Sequence, residues 1–216
     1  MRLGGVRRSP DRSLDRIYVV DVGATVDCEA IRPELLGQPV NSLSSLAFVV
    51  AGVWLMRRSG SRWVALGLIA TGVGSFLFHG PLAPGGEWIH DVTLAWLLAV
   101  VLVEIRGWPP SIHLFGLAAL VVAFGLFPIV ADPTMAGMAS IVVVSVLADD
   151  RSARTLLQLA SLGAFALLGR LGATGGALCD SASLFQLHAL WHIGAAAVVT
   201  WWASDRHLSV PVSRSP

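Results

Sequence analysis

Residues 112–131, IHLFGLAALVVAFGLFPIVA, form a long apolar run that contains no Asp, Glu, Lys or Arg. A helix needs about 20 predominantly apolar residues to cross the hydrocarbon core of a bilayer. Six further runs have a similar character: 41–57, 63–79, 91–106, 133–148, 154–171 and 185–203. The sequence therefore predicts an all-α membrane protein, a seven-transmembrane-helix bundle, with six or eight spans as the alternatives.

The composition of the whole chain agrees with a membrane protein. Of its 216 residues, 55% are hydrophobic and 13% are charged, and the mean hydropathy is +0.70. Soluble domains carry about 25% charged residues. This composition and a net charge of +1 exclude a disordered protein, a basic nucleic-acid binder and an ordinary cytosolic enzyme. We expect no nucleic-acid partner and no obligate protein partner.

The distribution of arginine predicts the orientation of the bundle. Residues 80–90 and 172–184 contain no basic residue, whereas the loops at the opposite face carry several arginines. Cytoplasmic loops are the ones enriched in basic residues. We therefore expect an extracytoplasmic N-terminal segment (1–40), a seven-helix transmembrane domain (41–203) and a cytoplasmic tail (204–216).

Five polar side chains interrupt the apolar spans, although an ionisable group inside a membrane costs about 2.5–3.5 kcal/mol on insertion scales. Ser75 and His79 lie near the end of span two, Asp91 opens span three, and His188 and His192 lie near the start of span seven. In an alternating bundle, these three span ends lie at the same membrane face. The sequence thus predicts a polar site at that face.

The three histidines of this group have the spacing of metal ligands. His188 and His192 are four residues apart, so their side chains share one helix face. With His79 from another helix they would give three imidazoles and one open position, the pattern of catalytic zinc. The alternative is that they are ordinary interfacial polar residues. We assign no function to the remaining histidines, which we expect in a loop (His90), at a span end (His113) and in the cytoplasmic tail (His207).

These same residues carry a family resemblance. The stretch GVGSFLFH at 72–79, Asp91, and HALWH at 188–192 resemble motifs of the alkaline ceramidases. That family belongs to the CREST superfamily of seven-helix membrane hydrolases, which also includes adiponectin-receptor-like proteins. Asp27-Cys28-Glu29 and the pair Asn41 and Ser44 resemble the segment that enters the ceramidase fold.

The resemblance implies a zinc ion held by His79, His188 and His192, with Ser75 and Asp91 beside it. It implies hydrolysis of the N-acyl bond of ceramide, or of a related N-acyl lipid, to a fatty acid and a free amine. Ser75 is then expected to donate a hydrogen bond to the developing oxyanion. Asp91 is expected either to transfer a proton or to orient a histidine ligand.

Two further features are implied by the resemblance. One is a disulfide between Cys28 and Cys179, which an oxidising extracytoplasmic face would favour. The other is a weak calcium site that includes Asp27 and Glu29, and it is doubtful because the neighbouring Val26 and Ile31 have no side-chain oxygen. The alternative function is a receptor-like or regulatory seven-helix membrane protein with a structural or vestigial zinc; a small transporter is a weaker alternative.

Overall fold

The computed structural model describes residues 25–58 and 61–209. Within these ranges every regular element longer than three residues is an α-helix. The helices are α1 (Pro39–Arg57), α2 (Arg62–His79), α3 (Gly86–Arg106), α4 (Ser111–Leu126), α5 (Ala131–Asp149), α6 (Ala153–Leu171) and α7 (Leu187–Ser209). The all-α prediction is confirmed. Residues 1–24 of the predicted N-terminal segment and residues 210–216 of the predicted tail lie outside the described residues.

Four segments of the described chain are long and apolar enough to cross a membrane. They are Pro39–Arg57, Arg62–His79, Gly86–Arg106 and Pro128–Asp149. Helix α4 has only 16 residues, and polar side chains lower the mean hydropathy of α6 and α7. The structure thus supports a membrane protein with seven helices in the described part of the chain, while the count of seven spans is not confirmed.

The break between the fourth and fifth helices differs from the one that we predicted. The apolar run 112–131 ends as a helix at Leu126, and a 3₁₀ turn, Pro128–Val130, precedes α5. The backbone of Phe127 lies outside the helical region of φ and ψ, because the proline that follows disfavours the helical conformation at this residue. Pro133 lies in the first turn of α5, where a missing backbone N–H breaks no helical hydrogen bond.

Helix α2 lies between α1 and α3, and two of its glycines allow both neighbours to approach closely. A Cβ atom at Gly72 would lie 2.9 Å from the Ser45 carbonyl oxygen of α1. A Cβ atom at Gly74 would lie 3.1 Å from the Ile89 carbonyl oxygen of α3. Small residues serve this purpose in membrane helices. Helix α7 packs against α1 and α6, so its first turns face the end of α2.

The segment that precedes α1 covers the end of the bundle where α2 ends and α3 and α7 begin. A disulfide joins Cys28 to Cys179 in the loop before α7, with the two Cα atoms 5.5 Å apart. The predicted disulfide is therefore confirmed. Next to it, the Ala30 amide donates to the Ser181 carbonyl oxygen over 3.1 Å. These contacts fasten the segment to the loop that leads into α7.

The same segment caps the first helix of the bundle. Glu29 is 3% exposed, and its two carboxylate oxygens each accept a hydrogen bond, at 2.8 Å, from the backbone amides of Val40 and Asn41. These amides belong to the first turn of α1, where no helical carbonyl is available to them. Glu29 thereby satisfies two buried amides and complements the positive end of the helix dipole.

Candidate metal centre

Three histidines from two helices meet at this end of the bundle. His79 is the last residue of α2, and His188 and His192 lie on the first two turns of α7. One nitrogen of each ring lies within 4.8 Å of one nitrogen of the other two. His79 and His192 are buried, and the His188 side chain is 19% exposed. The group predicted from the sequence is brought together, and it could hold a metal ion.

The outward-facing nitrogen of His79 is held by Gln38. The Gln38 amide nitrogen donates to the carbonyl oxygens of Glu29, at 2.9 Å, and Asp27, at 3.5 Å. This orientation leaves the Gln38 Oε1 atom facing His79 Nδ1 at 2.7 Å. Because Oε1 can only accept, His79 Nδ1 carries the proton and the lone pair of its neutral ring lies on Nε2.

Asp27 lies beside the Nδ1 atoms of two of these rings. Its Oδ1 atom lies 3.0 Å from His188 Nδ1, and its Oδ2 atom lies 3.7 Å from His79 Nδ1. A carboxylate that accepts from a histidine N–H fixes the tautomer and raises the basicity of the opposite nitrogen. His188 therefore also carries its proton on Nδ1 and its lone pair on Nε2.

The third ring, His192, is oriented by a serine of α1. Ser44 Oγ lies 2.9 Å from His192 Nδ1, and the same hydroxyl donates to the Asn41 carbonyl oxygen at 2.9 Å. A hydroxyl has one proton, so Ser44 accepts from His192 Nδ1. All three rings consequently carry the proton on Nδ1 and the lone pair on Nε2.

The inner nitrogens of the site fit a metal cation. The Nε2 atoms of His79 and His188 are buried and have no hydrogen-bonding partner. A buried polar nitrogen without a partner is unfavourable, and a bound cation would satisfy both. Three imidazole nitrogens are also a common donor set for zinc in catalytic sites. The fit thus rests on two buried Nε2 atoms without a hydrogen-bonding partner and on imidazole, a ligand that zinc commonly binds.

Ser75 lies at the edge of the three-histidine group, as expected from the sequence. Its Oγ atom is 3.4 Å from His192 Nε2 and 2.8 Å from Ser45 Oγ. Ser45 already donates to the Asn41 carbonyl oxygen at 2.8 Å, so the Ser75 hydroxyl donates to Ser45. Ser75 is thus held beside the proposed metal position with its proton turned toward α1.

Asp91 contacts a fourth histidine. Its Oδ1 atom lies 3.0 Å from His90 Nδ1, and the His90 and His79 ring centroids are 6.2 Å apart. Our interpretation of His90 as an ordinary loop residue was incomplete, because it lies within α3 and lines a cavity beside His188. Asp91 therefore borders the site together with His90.

The two carboxylates assigned to the weak calcium site have other contacts. Both Glu29 oxygens accept backbone amides of α1, and both Asp27 oxygens face histidine rings. The calcium site stays a prediction, and these contacts account for the two carboxylates without it.

Several functional residues were missed in the sequence analysis, above all Gln38 and Ser45, together with the role of Asp27 beside the histidines. They lie 30 or more positions along the chain from the side chains that they contact; Gln38 and His79, for example, are 41 positions apart. The only available signal was the unusual number of polar residues just before and at the start of the first apolar run.

An apolar cavity of about 300 Å³ extends from the histidines into the bundle. His188, His192 and Ser75 line it at one end, and the rest of the wall is mainly aliphatic, with Leu94 of α3 and Leu162 of α6 among its residues.

No protein-family model and no curated protein matches the chain.

Proposed function

We propose that the protein is a zinc-dependent intramembrane amide hydrolase, similar to the alkaline ceramidases. In this proposal it cleaves the N-acyl bond of ceramide or a related N-acyl lipid to a fatty acid and a free amine. The observation that carries the proposal is the convergence of three imidazole rings, from His79, His188 and His192, with one nitrogen of each within 4.8 Å of the others, beside an apolar cavity.

Zinc bound by three imidazoles would act as a Lewis acid and activate water near neutral pH. The chain supplies the groups around the reacting amide. Ser75 can rotate its hydroxyl from Ser45 toward the carbonyl oxygen of the substrate and stabilise the negative charge that develops there. Because the hydroxyl is already fixed beside His192, little reorganisation is required.

Proton transfer is assigned to Asp91 together with His90. The Asp91 carboxylate accepts from His90 Nδ1, which leaves the lone pair of the neutral His90 ring on Nε2, and His90 lines the cavity. A carboxylate–imidazole pair of this kind can accept the proton of the attacking water at Nε2 and then deliver it to the leaving amine. This assignment keeps Asp91 out of the metal coordination.

The cavity supports a lipid as substrate. Its wall combines a few polar groups at one end with aliphatic and aromatic side chains along the rest, including Leu97 and Trp191. Such an environment favours a molecule with one polar group and a hydrocarbon chain. Access from the bilayer would suit an amide that lies between two apolar chains.

The orientation that we propose places the site at the extracytoplasmic face, with the N-terminus outside and the C-terminus in the cytoplasm. The Cys28–Cys179 disulfide lies at this end of the bundle, and disulfides persist in oxidising compartments. The loops at this end, 80–90 and 172–184, carry no arginine.

Metal analysis and hydrolysis of a fluorescent N-acyl lipid by purified variants test the proposal. His79→Ala, His188→Ala and His192→Ala should each lose metal and activity together, because two imidazoles hold zinc poorly. Ser75→Ala should keep the metal and lose activity by about 10²–10³-fold. Asp91→Asn should also keep the metal while activity falls.

The control is His113→Ala, which removes a histidine of α4 that lies outside the three-histidine group and should retain metal and activity. Wild-type protein that contains no zinc, or full activity after His188→Ala, would overturn the proposal. Stoichiometric zinc without hydrolysis of any N-acyl lipid would favour the receptor-like alternative.

A further inference from the structure

The apolar cavity has a polar lower boundary on the side away from the histidines. The cavity is lined by His188 near the start of α7 and by Trp202 near the end of the same helix, with Gln158 near the start of α6. We call the end with Trp202 and Gln158 the lower end. Trp202 lies 14 positions after His188, which corresponds to about 21 Å along a helix. One leaflet of a bilayer core, half of its thickness, is about 15 Å. The cavity is therefore long enough for one hydrocarbon chain of a membrane lipid.

A charged network holds the lower boundary in place. Gln158 is 3% exposed, and its amide nitrogen donates to Asp205 Oδ2 at 2.9 Å. Asp205 Oδ1 accepts from Arg154 at 3.1 Å. The Gln158 side chain is thus fixed between an apolar space on one side and an ion pair on the other.

Beyond this boundary lies a second cavity of a different character. It has a volume of about 580 Å³, and its lining includes Glu104, Asp149, Asp150, Arg154 and Arg206. Gln158 and Trp202 line both cavities, as does Val146 of α5. These three side chains therefore lie between a hydrocarbon-like space and a charged one.

We propose that Gln158, held by Asp205, and Trp202 form the floor of the chain-binding cavity and set the maximum chain length of the substrate. A longer chain would have to displace the Gln158–Asp205 hydrogen bond and leave a buried amide without a partner. Its additional methylenes would then enter a charged cavity, where burial gains nothing. The inference rests on the proposed lipid amidase function, and it adds the selectivity of that site for the length of the hydrocarbon chain.

The test compares relative kcat/KM for N-acyl lipids in which the acyl chain and the amine-linked chain are lengthened separately. Gln158→Ala and Trp202→Ala should extend the accepted chain length. For each methylene that the opened floor accommodates, the ratio of long-chain to short-chain activity should rise by about fourfold. If the floor variants change this ratio in only one of the two series, that series identifies the chain that occupies the cavity.

Milder variants keep the test informative if the alanine variants do not fold. Gln158→Asn retains the amide but withdraws it by one methylene, so the shift should be smaller and in the same direction. Val199→Phe fills the cavity above the floor and should shift the preference to shorter chains. Leu157→Ala is the matched control, since Leu157 neighbours Gln158 but is 57% exposed and lies outside the cavity lining.

A second readout separates this inference from the proposed function. Displacement of a fluorescent fatty acid by unlabelled fatty acids of increasing length measures chain binding without catalysis. If the wild-type protein hydrolyses no N-acyl lipid but the floor variants shift this binding profile, the amidase proposal fails and the floor is supported. Profiles that are identical in wild type, Gln158→Asn, Val199→Phe and Leu157→Ala would overturn the floor.

Discussion

At the scale of single residues, Asp27 has the most consequential position in the site. Its carboxylate faces two of the three histidines, and it is adjacent in sequence to Cys28 of the disulfide. The orientations of two histidine rings therefore depend on a residue outside the three-histidine group. Gln38 and Ser44 provide the same kind of support to one ring each.

We predict that Asp27→Ala lowers the affinity for zinc by about 10–100-fold, the usual effect of removing a carboxylate that orients a ligating histidine. The measurement is zinc release to a chelator of known affinity. Asp132→Ala serves as control, because Asp132 is an exposed carboxylate in the first turn of α5. Equal zinc affinities in wild type and Asp27→Ala would contradict the orienting role.

At the scale of helices, the start of α1 depends on a residue outside the helix. Pro39 occupies the first helical position, and Gln38 provides no side-chain cap hydrogen bond. Glu29 supplies the missing acceptors for the next two amides from ten or more residues upstream. Helix α1 also carries Ser44 and Ser45, so its position affects the orientation of His192 and Ser75.

Glu29→Ala should destabilise the protein by about 1.5–3 kcal/mol, the range for hydrogen bonds to a charged group, because buried amides of α1 lose their acceptors. Thermal unfolding in detergent measures the effect as a lower midpoint. Glu34→Ala, which removes an exposed carboxylate of the same segment, should leave the midpoint unchanged. An unchanged midpoint in Glu29→Ala as well would show that the cap contributes nothing.

At the scale of the whole molecule, the Cys28–Cys179 disulfide connects parts of the chain that are 151 residues apart. It fastens the segment that carries Asp27 and Glu29 to the loop that leads into α7. The three-histidine group is thereby bordered by two segments that are distant in sequence, the one before α1 and the one before α7.

Replacing both cysteines, Cys28→Ser with Cys179→Ser, should lower stability by about 2–5 kcal/mol. It should also speed the loss of zinc, because Asp27 is no longer held against the histidines. Reduction of the wild-type protein should reproduce both effects and should not change the double variant further. Melting points that coincide in the oxidised wild type and the double variant would refute this role of the disulfide.

The sequence by itself determined the features that depend on local pattern. Apolar runs predicted helices because helix formation and membrane insertion depend on neighbouring residues, and the spacing of His188 and His192 placed both on one helix face. The shared depth of Ser75, His79 and Asp91 followed from the alternation of the spans. The end of α4 at Leu126 was missed, although Pro128 is a local signal, because we assigned the break to Pro133 instead.

Only the tertiary structure decided which nitrogen of each histidine faces inward. That choice depends on hydrogen bonds to Gln38, Asp27 and Ser44, whose partners are separated from them by 41 to 161 residues of sequence. The floor of the cavity likewise depends on the Gln158–Asp205 hydrogen bond between α6 and α7, across 47 residues. No local pattern encodes such pairs, because they form only when helix packing brings distant side chains within about 3 Å of one another.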